Sequence, residues 1–259
     1  MSKNPVAAPV SSVGQFKGGG GKSTTSRLMA ERMIRWADEM GRPRPLIIDA
    51  DTSLGNTEAH LKAAGAVRLQ APLHVYEGWL EMAQTIAQAP SAQAVLIDFP
   101  GNFSEGLKAY GASFAEMLEI QGRPWTRVIP INTQAQAVMT VAEMAAVKPH
   151  DERMVIIMNG KWGPNRESFG YWHARPDLLN GGMQGGKQRA ALLAAGGLEV
   201  YLPALEASVM ELADSIDATF EEAANLMIAR SHVFQGTTLR AWLAHANAMV
   251  EQMRSRLGY

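Results

Sequence analysis

The chain has 259 residues, no cysteine and a formal net charge of −1. That balance excludes a polyanion binder acting through overall charge, so any nucleic-acid contact needs a local basic patch, and the lack of cysteine excludes disulfides and thiolate metal sites together. The length suits one α/β layer structure with a large core, and a single domain over residues 1–259 is expected.

Residues 1–9 read as a flexible tail with prolines and alanines but no charged-then-apolar leader. No apolar run reaches the roughly 18 residues of a membrane span, so a cytoplasmic protein is expected. Pro9 to Phe16 is a modest first strand, weakened by serines, and it runs into Lys17-Gly18-Gly19-Gly20-Gly21-Lys22-Ser23-Thr24. Four successive glycines offer nothing to pack, but they permit a tight loop whose amide N–H groups point inward at an anion. From Thr25 to Met40 apolar residues recur at helical spacing, so the loop ends where a helix, and its positive dipole end, begins. In such a cradle Lys22 reaches the β and γ phosphates and the Ser23 hydroxyl ligates Mg²⁺. The first glycine of the general G-x-x-x-x-G-K-[ST] pattern would fall on Phe16, so that form is not satisfied. A second lysine instead stands five residues ahead of Lys22.

The arrangement K-G-G-x-G-K-[ST] resembles the deviant Walker A motif of the ParA/MinD family of dimerising ATPases. The resemblance implies that Lys17 reaches across a dimer interface to the partner's nucleotide, and that loop residues Lys17 to Thr24 bind ATP. Relatives sharing this loop include the nitrogenase iron protein and iron–sulfur scaffold ATPases, whose cysteines this chain lacks.

Gly41, Pro43 and Pro45 close the first helix. Leu46-Ile47-Ile48 is a wholly apolar run typical of a buried parallel strand, and it delivers Asp49-Ala50-Asp51 to the carboxyl edge where open α/β sheets bind ligands. Capping and turn formation are the alternative roles of such a D-x-D run. With Thr52 to Asn56 it resembles the family's switch I, nearer to MinD than to ParA because Thr52-Ser53 replaces Pro-Gln. By that likeness Asp51 orients the attacking water and Asp49 supports the Mg²⁺ shell.

Between Glu58 and Ala92 a helix or two and a short strand near His74 to Trp79 are expected, with His74 an ordinary, partly buried histidine. Ala94-Val95-Leu96-Ile97-Asp98 is the next buried strand. Followed by Phe99-Pro100-Gly101-Asn102, it resembles the Walker B and switch II segment, in which Asp98 would hold Mg²⁺ through a water. Arg127 to Ile131 and Arg153 to Met158 are further strands, with a helix from Ala135 to Val147 between them. By resemblance Asn159 is a candidate adenine contact, and a turn residue is its other reading.

Residues 161–187 form an irregular aromatic and glycine-rich insertion, either a partner or dimer face or a small satellite core. A helix over Lys187 to Ala195, a strand over Leu198 to Leu202 and Pro203, a second candidate near adenine, come next. Helices are then expected over about 205–213, 218–229 and 237–257. The last carries Leu239, Trp242, Leu243, Ala246, Met249, Val250, Met253 and Leu257 on one side, which reads as core packing rather than a membrane-lying helix. Lys187, Arg189, Arg230, Arg240, Arg254 and Arg256 are the cations available for the non-specific DNA binding seen in the family, or they form a solvated face.

The order of elements implies a mainly parallel β-sheet flanked by helices on both sides. The resemblance implies a cytoplasmic or nucleoid-associated plasmid-partition or positioning ATPase. Its cofactors would be ATP and Mg²⁺, and its partners an ATP-dependent homodimer, a ParB-like activator and DNA, with a membrane surface as the MinD-like alternative. A P-loop kinase, a metallochaperone GTPase and a scaffold that barely hydrolyses also remain open. Guanine readers usually show an N-K-x-D-like run, which Asn159-Gly160-Lys161-Trp162 matches poorly.

Overall fold

The computed structural model describes residues 7–16, 19–51, 61 and 64–259. Seven parallel strands form one sheet: β1 (Val10–Val13), β2 (Leu46–Asp49), β3 (Val67–Arg68), β4 (Val95–Asp98), β5 (Trp125–Ile131), β6 (Met154–Asn159) and β9 (Leu198–Leu202). They lie in the order β3-β2-β4-β1-β5-β6-β9. A separate antiparallel hairpin joins β7 (Arg175–Pro176) and β8 (Met183–Gln184). The helices are α1 (Lys22–Glu39), α2 (Tyr76–Gln88), α3 (Ser104–Ile120), α4 (Ala135–Val147), α5 (Gly170–His173), α6 (Lys187–Ala194), α7 (Ala207–Asp214), α8 (Phe220–Ala229) and α9 (Val233–Glu251).

The apolar runs of the central strands are buried on both sides because successive residues alternate between two cores. Val13, Ile47, Leu96, Val128 and Val155 face a core shared with α1, α7, α8 and α9. Val10, Ile48, Ile97, Ile129 and Ile156 face the other, filled by α2, α3, α4 and the aromatic residues Phe169 and Trp172. This is an α/β fold with helices on both faces of a parallel sheet.

Three expectations need correction. The segment from His74 to Trp79 is not a strand: His74 is exposed in a turn, α2 starts at Tyr76, and the short edge strand is Val67–Arg68. Trp79 is instead buried in α2, its indole donating to Leu73 O at 2.6 Å. Ala8 and Pro9, expected in a flexible tail, are instead held: Ala8 N–H donates to Ser91 O and Pro9 O accepts from Val95 N–H. Finally, α3 fills a stretch to which the sequence pattern assigns no element. Its interior Gly106 and Gly111 dilute the apolar stripe, yet a Cβ on Gly106 would stand 1.7 Å from Leu73 O, so the helix packs this closely only with glycine there.

The insertion does two things at once. Phe169 and Trp172 are buried at 1% exposure, as a satellite of the core would be, while Leu178 and Leu179 at the hairpin tip are 93% and 94% exposed. The apolar stripe of α9 is packed into the core along its length, from Leu239 to Val250. Among the described residues no helix is long and apolar enough to cross a membrane.

Candidate functional site

Strand β1 hydrogen-bonds to β4 on one side and β5 on the other, so the loop after Val13 emerges between the ends of two strands. In that register Val13 lies beside Asp98, and Asp98 in turn lies beside Asp49 of β2. The candidate Asp49 and Asp98 are therefore adjacent at the carboxyl edge of the sheet, beside the glycine loop. Lys17 and Gly18 lie outside the described residues, as does the Thr52 to Asn56 segment.

The described part of the loop has the backbone of an anion nest. Gly19 and Gly21 have φ of 84° and 95° with Gly20 between them, an alternation that turns successive amides toward one side. Helix α1 starts directly after Gly21 with no side-chain cap and no acidic residue in its first turn. Its first N–H groups thus lack both a covalently attached acceptor and a compensating carboxylate.

Lys22 opens that helix. Burial lowers its pKa, while the carboxylates of Asp98 and Asp51 pull the other way. Asp98 is wholly buried, and burial pushes its pKa up to about 7. Asp49 and Asp51 add to that rise, whereas the Ser26 hydroxyl and Lys22 oppose it. Ser26 Oγ donates to Asp98 Oδ1 at 2.7 Å. Since Ser23 precedes Ser26 by three residues, it shares that helical face one turn nearer the loop. Asp51 N–H donates to Asp49 Oδ1 at 3.0 Å, folding the D-x-D run back on itself.

No group of three or more His, Cys, Asp or Glu among the described residues could by itself hold a metal. One hydroxyl and two neighbouring carboxylates do fit Mg²⁺, which keeps several waters and binds mainly through one or two carboxylates and substrate phosphates.

Beside the loop, a cavity of ≈ 530 Å³ is lined by Lys22, Ser23, Thr24, Asn159, Lys161, Pro203, Glu206 and Trp242. The candidate Asn159 and Pro203 both line it. Asn159 is also a structural brace: its Nδ2 donates to Gly20 O at 3.0 Å and its Oδ1 accepts from Lys161 N–H at 3.1 Å. Pro203 O accepts from Trp242 Nε1 at 2.8 Å. Two residues the sequence did not single out also belong here. Trp162 Nε1 donates to Gly19 O at 2.9 Å, and Gln15, 1% exposed, packs its amide against Gly20. Their closeness in sequence to the loop and to Asn159 was the only available signal.

The candidate DNA-binding cations are mostly engaged within the chain. Arg189 pairs with Glu199 at 2.7 Å and Arg254 with Glu251 at 3.0 Å. Arg240 bonds to Asn225, and Arg256 bonds to the carbonyls of Glu152 and Gly196.

No family model and no curated protein sequence matches the chain. Among solved structures it is similar to chloroplast FtsY from Physcomitrella patens, at 17% identity over 75% of this chain and 67% of that one, with a TM-score of 0.44.

Proposed function

We propose that this chain is a nucleoside-triphosphatase of the ParA/MinD type, which binds ATP with Mg²⁺ as an ATP-sandwich homodimer and hydrolyses it slowly until a partner speeds turnover. The observation that carries this reading is the uncapped start of α1 behind a glycine nest, with Lys22 set between that nest and Asp98. A phosphate chain satisfies the free amides, the helix dipole and the lysine together.

In this reading the loop amides and Lys22 neutralise charge on the β and γ phosphates, while the cavity toward Pro203 takes the base. Ser23, Asp49 and Asp98 would hold Mg²⁺, which when bound would supply charge neutralisation to the phosphates. Asp51 orients the attacking water, and Lys17 of the opposite protomer offsets charge developing in the transition state. The Lys17 role rests on its sequence position alone. Separation of protomers after hydrolysis would then time the release of a cargo, such as plasmid DNA, from a surface.

Purified protein should turn over ATP in preference to GTP and should sediment as a dimer with a non-hydrolysable ATP analogue and Mg²⁺. A monomer in that analogue would refute the sandwich, and equal turnover of GTP would refute the adenine assignment. Co-sedimentation with DNA and with lipid vesicles, each with and without ATP, identifies the surface. DNA as the surface requires ATP-dependent binding that weakens steeply with salt.

A further inference from the structure

The end of β6 and the turn after it touch the glycine loop twice, and both contacts are donations to carbonyl oxygens. Asn159 Nδ2 donates to Gly20 O and Trp162 Nε1 to Gly19 O, at 3.0 and 2.9 Å. The peptide plane gives these contacts a consequence. In a trans peptide the carbonyl of one residue points opposite to the N–H of the next, and the described chain has no cis peptide. Fixing Gly19 C=O therefore fixes Gly20 N–H on the other side, and fixing Gly20 C=O does the same for Gly21 N–H. Without such contacts a run of glycines has little to hold these planes in place.

We infer that Trp162, together with Asn159, is a positioning residue of the phosphate site: its indole N–H sets the Gly19–Gly20 peptide so that the Gly20 amide faces the anion before any ligand arrives. The inference rests on the nucleotide reading given above. The platform under it is rigid. Gly160 N–H donates to Leu202 O at 2.7 Å, and Trp162 N–H donates to Asn159 O at 3.0 Å. A Cβ on Gly160 would meet Tyr201 Oη at 2.6 Å, which keeps this turn tight against β9. The indole also lies against the loop, 3.5 Å from where a Cβ of Gly19 would stand, and the Lys161 ammonium sits 5.7 Å from the indole ring centre. Trp162 itself is 41% exposed. That exposure sets it apart from the buried Trp36 and Trp172. Preset amides save the cost of ordering them when the ligand binds.

The test replaces the donor and keeps the shape. Trp162→3-benzothienylalanine puts sulfur where the N–H stands, and Trp162→Phe removes the donor in a genetically simple form. Both should melt within about 2 °C of the parent, shift the Gly20 amide resonance in ligand-free protein, and weaken Mg²⁺-ATP binding roughly five- to tenfold, as expected for one lost hydrogen bond to a preorganised loop. AMP, which does not reach the glycine nest, should bind each variant as it binds the parent. An unchanged Gly20 resonance with unchanged ATP affinity would overturn the inference, as would an equal loss for AMP and ATP. Failure of the nucleotide reading shows separately, as ATP affinity untouched by Lys22→Ala.

Discussion

Ser26 Oγ and Asp98 Oδ1 stand 2.7 Å apart, so the first full turn of α1 is tied by a buried hydrogen bond to the end of β4. The helix that follows the glycine loop and the strand that carries the candidate metal carboxylate are thereby held in one geometry. Ser26→Ala removes the only polar hydrogen donated to that carboxyl group among the described side-chain contacts. The expected result is a loss of about 1–2 kcal/mol of stability, measured by urea unfolding, together with a higher Mg²⁺ requirement for nucleotide binding. An unaltered Mg²⁺ requirement would separate Asp98 from the metal.

Gln15 and Gly20 make a second pair. A Cβ on Gly20 would fall 1.1 Å from Gln15 Oε1, and Gln15 is 1% exposed, so its amide has no open space to move into. Gly20→Ala is expected to cost roughly 1–3 kcal/mol by overpacking and to reduce nucleotide affinity. Gln15→Ala in the same chain should recover most of that stability. A double variant no more stable than Gly20→Ala would show that glycine is required at position 20 for its backbone rather than for room.

The pH dependence should be visible at Glu31. Burial pushes its pKa up to about 7, against the opposing pull of Phe220 N–H and the Arg27 guanidinium, from which it accepts at 2.9 and 3.2 Å. The folded state thus binds a proton that the unfolded chain releases near the ordinary carboxylate value. This contribution to stability is complete below about 4.5 and is lost as pH rises through about 7. Glu31→Gln should flatten the fall in melting temperature across that window. An identical slope in the variant would mean that Glu31 is ionised throughout.

Much of this was legible in the sequence for simple reasons. The runs at 46–48, 94–97 and 154–158 are apolar without alternation, which only strands buried on both faces require, and each appears in the sheet. The loop from Lys17 to Thr24 announced a helix start, and Ala135 to Val147 kept a helical period along its whole length. Helix α3 was not legible, because Gly106 and Gly111 interrupt its stripe where Trp79 and Val147 crowd against it. Val75, Tyr76 and Trp79 favour a strand by residue type, whereas α2 begins at Tyr76 and its Trp79 indole bonds back to Leu73 O. The grip of Asn159 and Trp162 on the loop was beyond sequence reading, since it joins residues about 140 positions apart.

Trp242 and Pro203 both line the cavity and are joined by the indole N–H, which donates to Pro203 O at 2.8 Å, and Trp242 also packs edge-on against Phe220 at 5.6 Å. Trp242→Phe keeps most of the packing and frees the carbonyl. The base affinity should fall about two- to fivefold for the loss of one ordering contact, with the inorganic triphosphate unaffected in a competition assay. Equal effects on both would place Trp242 outside the base wall.

The most direct measurement is calorimetric titration of Mg²⁺-ATP into the parent protein and into Lys22→Ala. The parent should bind one nucleotide per chain, and Lys22→Ala should lose at least about a hundredfold in affinity, as removal of a half-buried cation from a phosphate cradle implies. Binding of equal strength to both proteins, or none to the parent, would contradict the account.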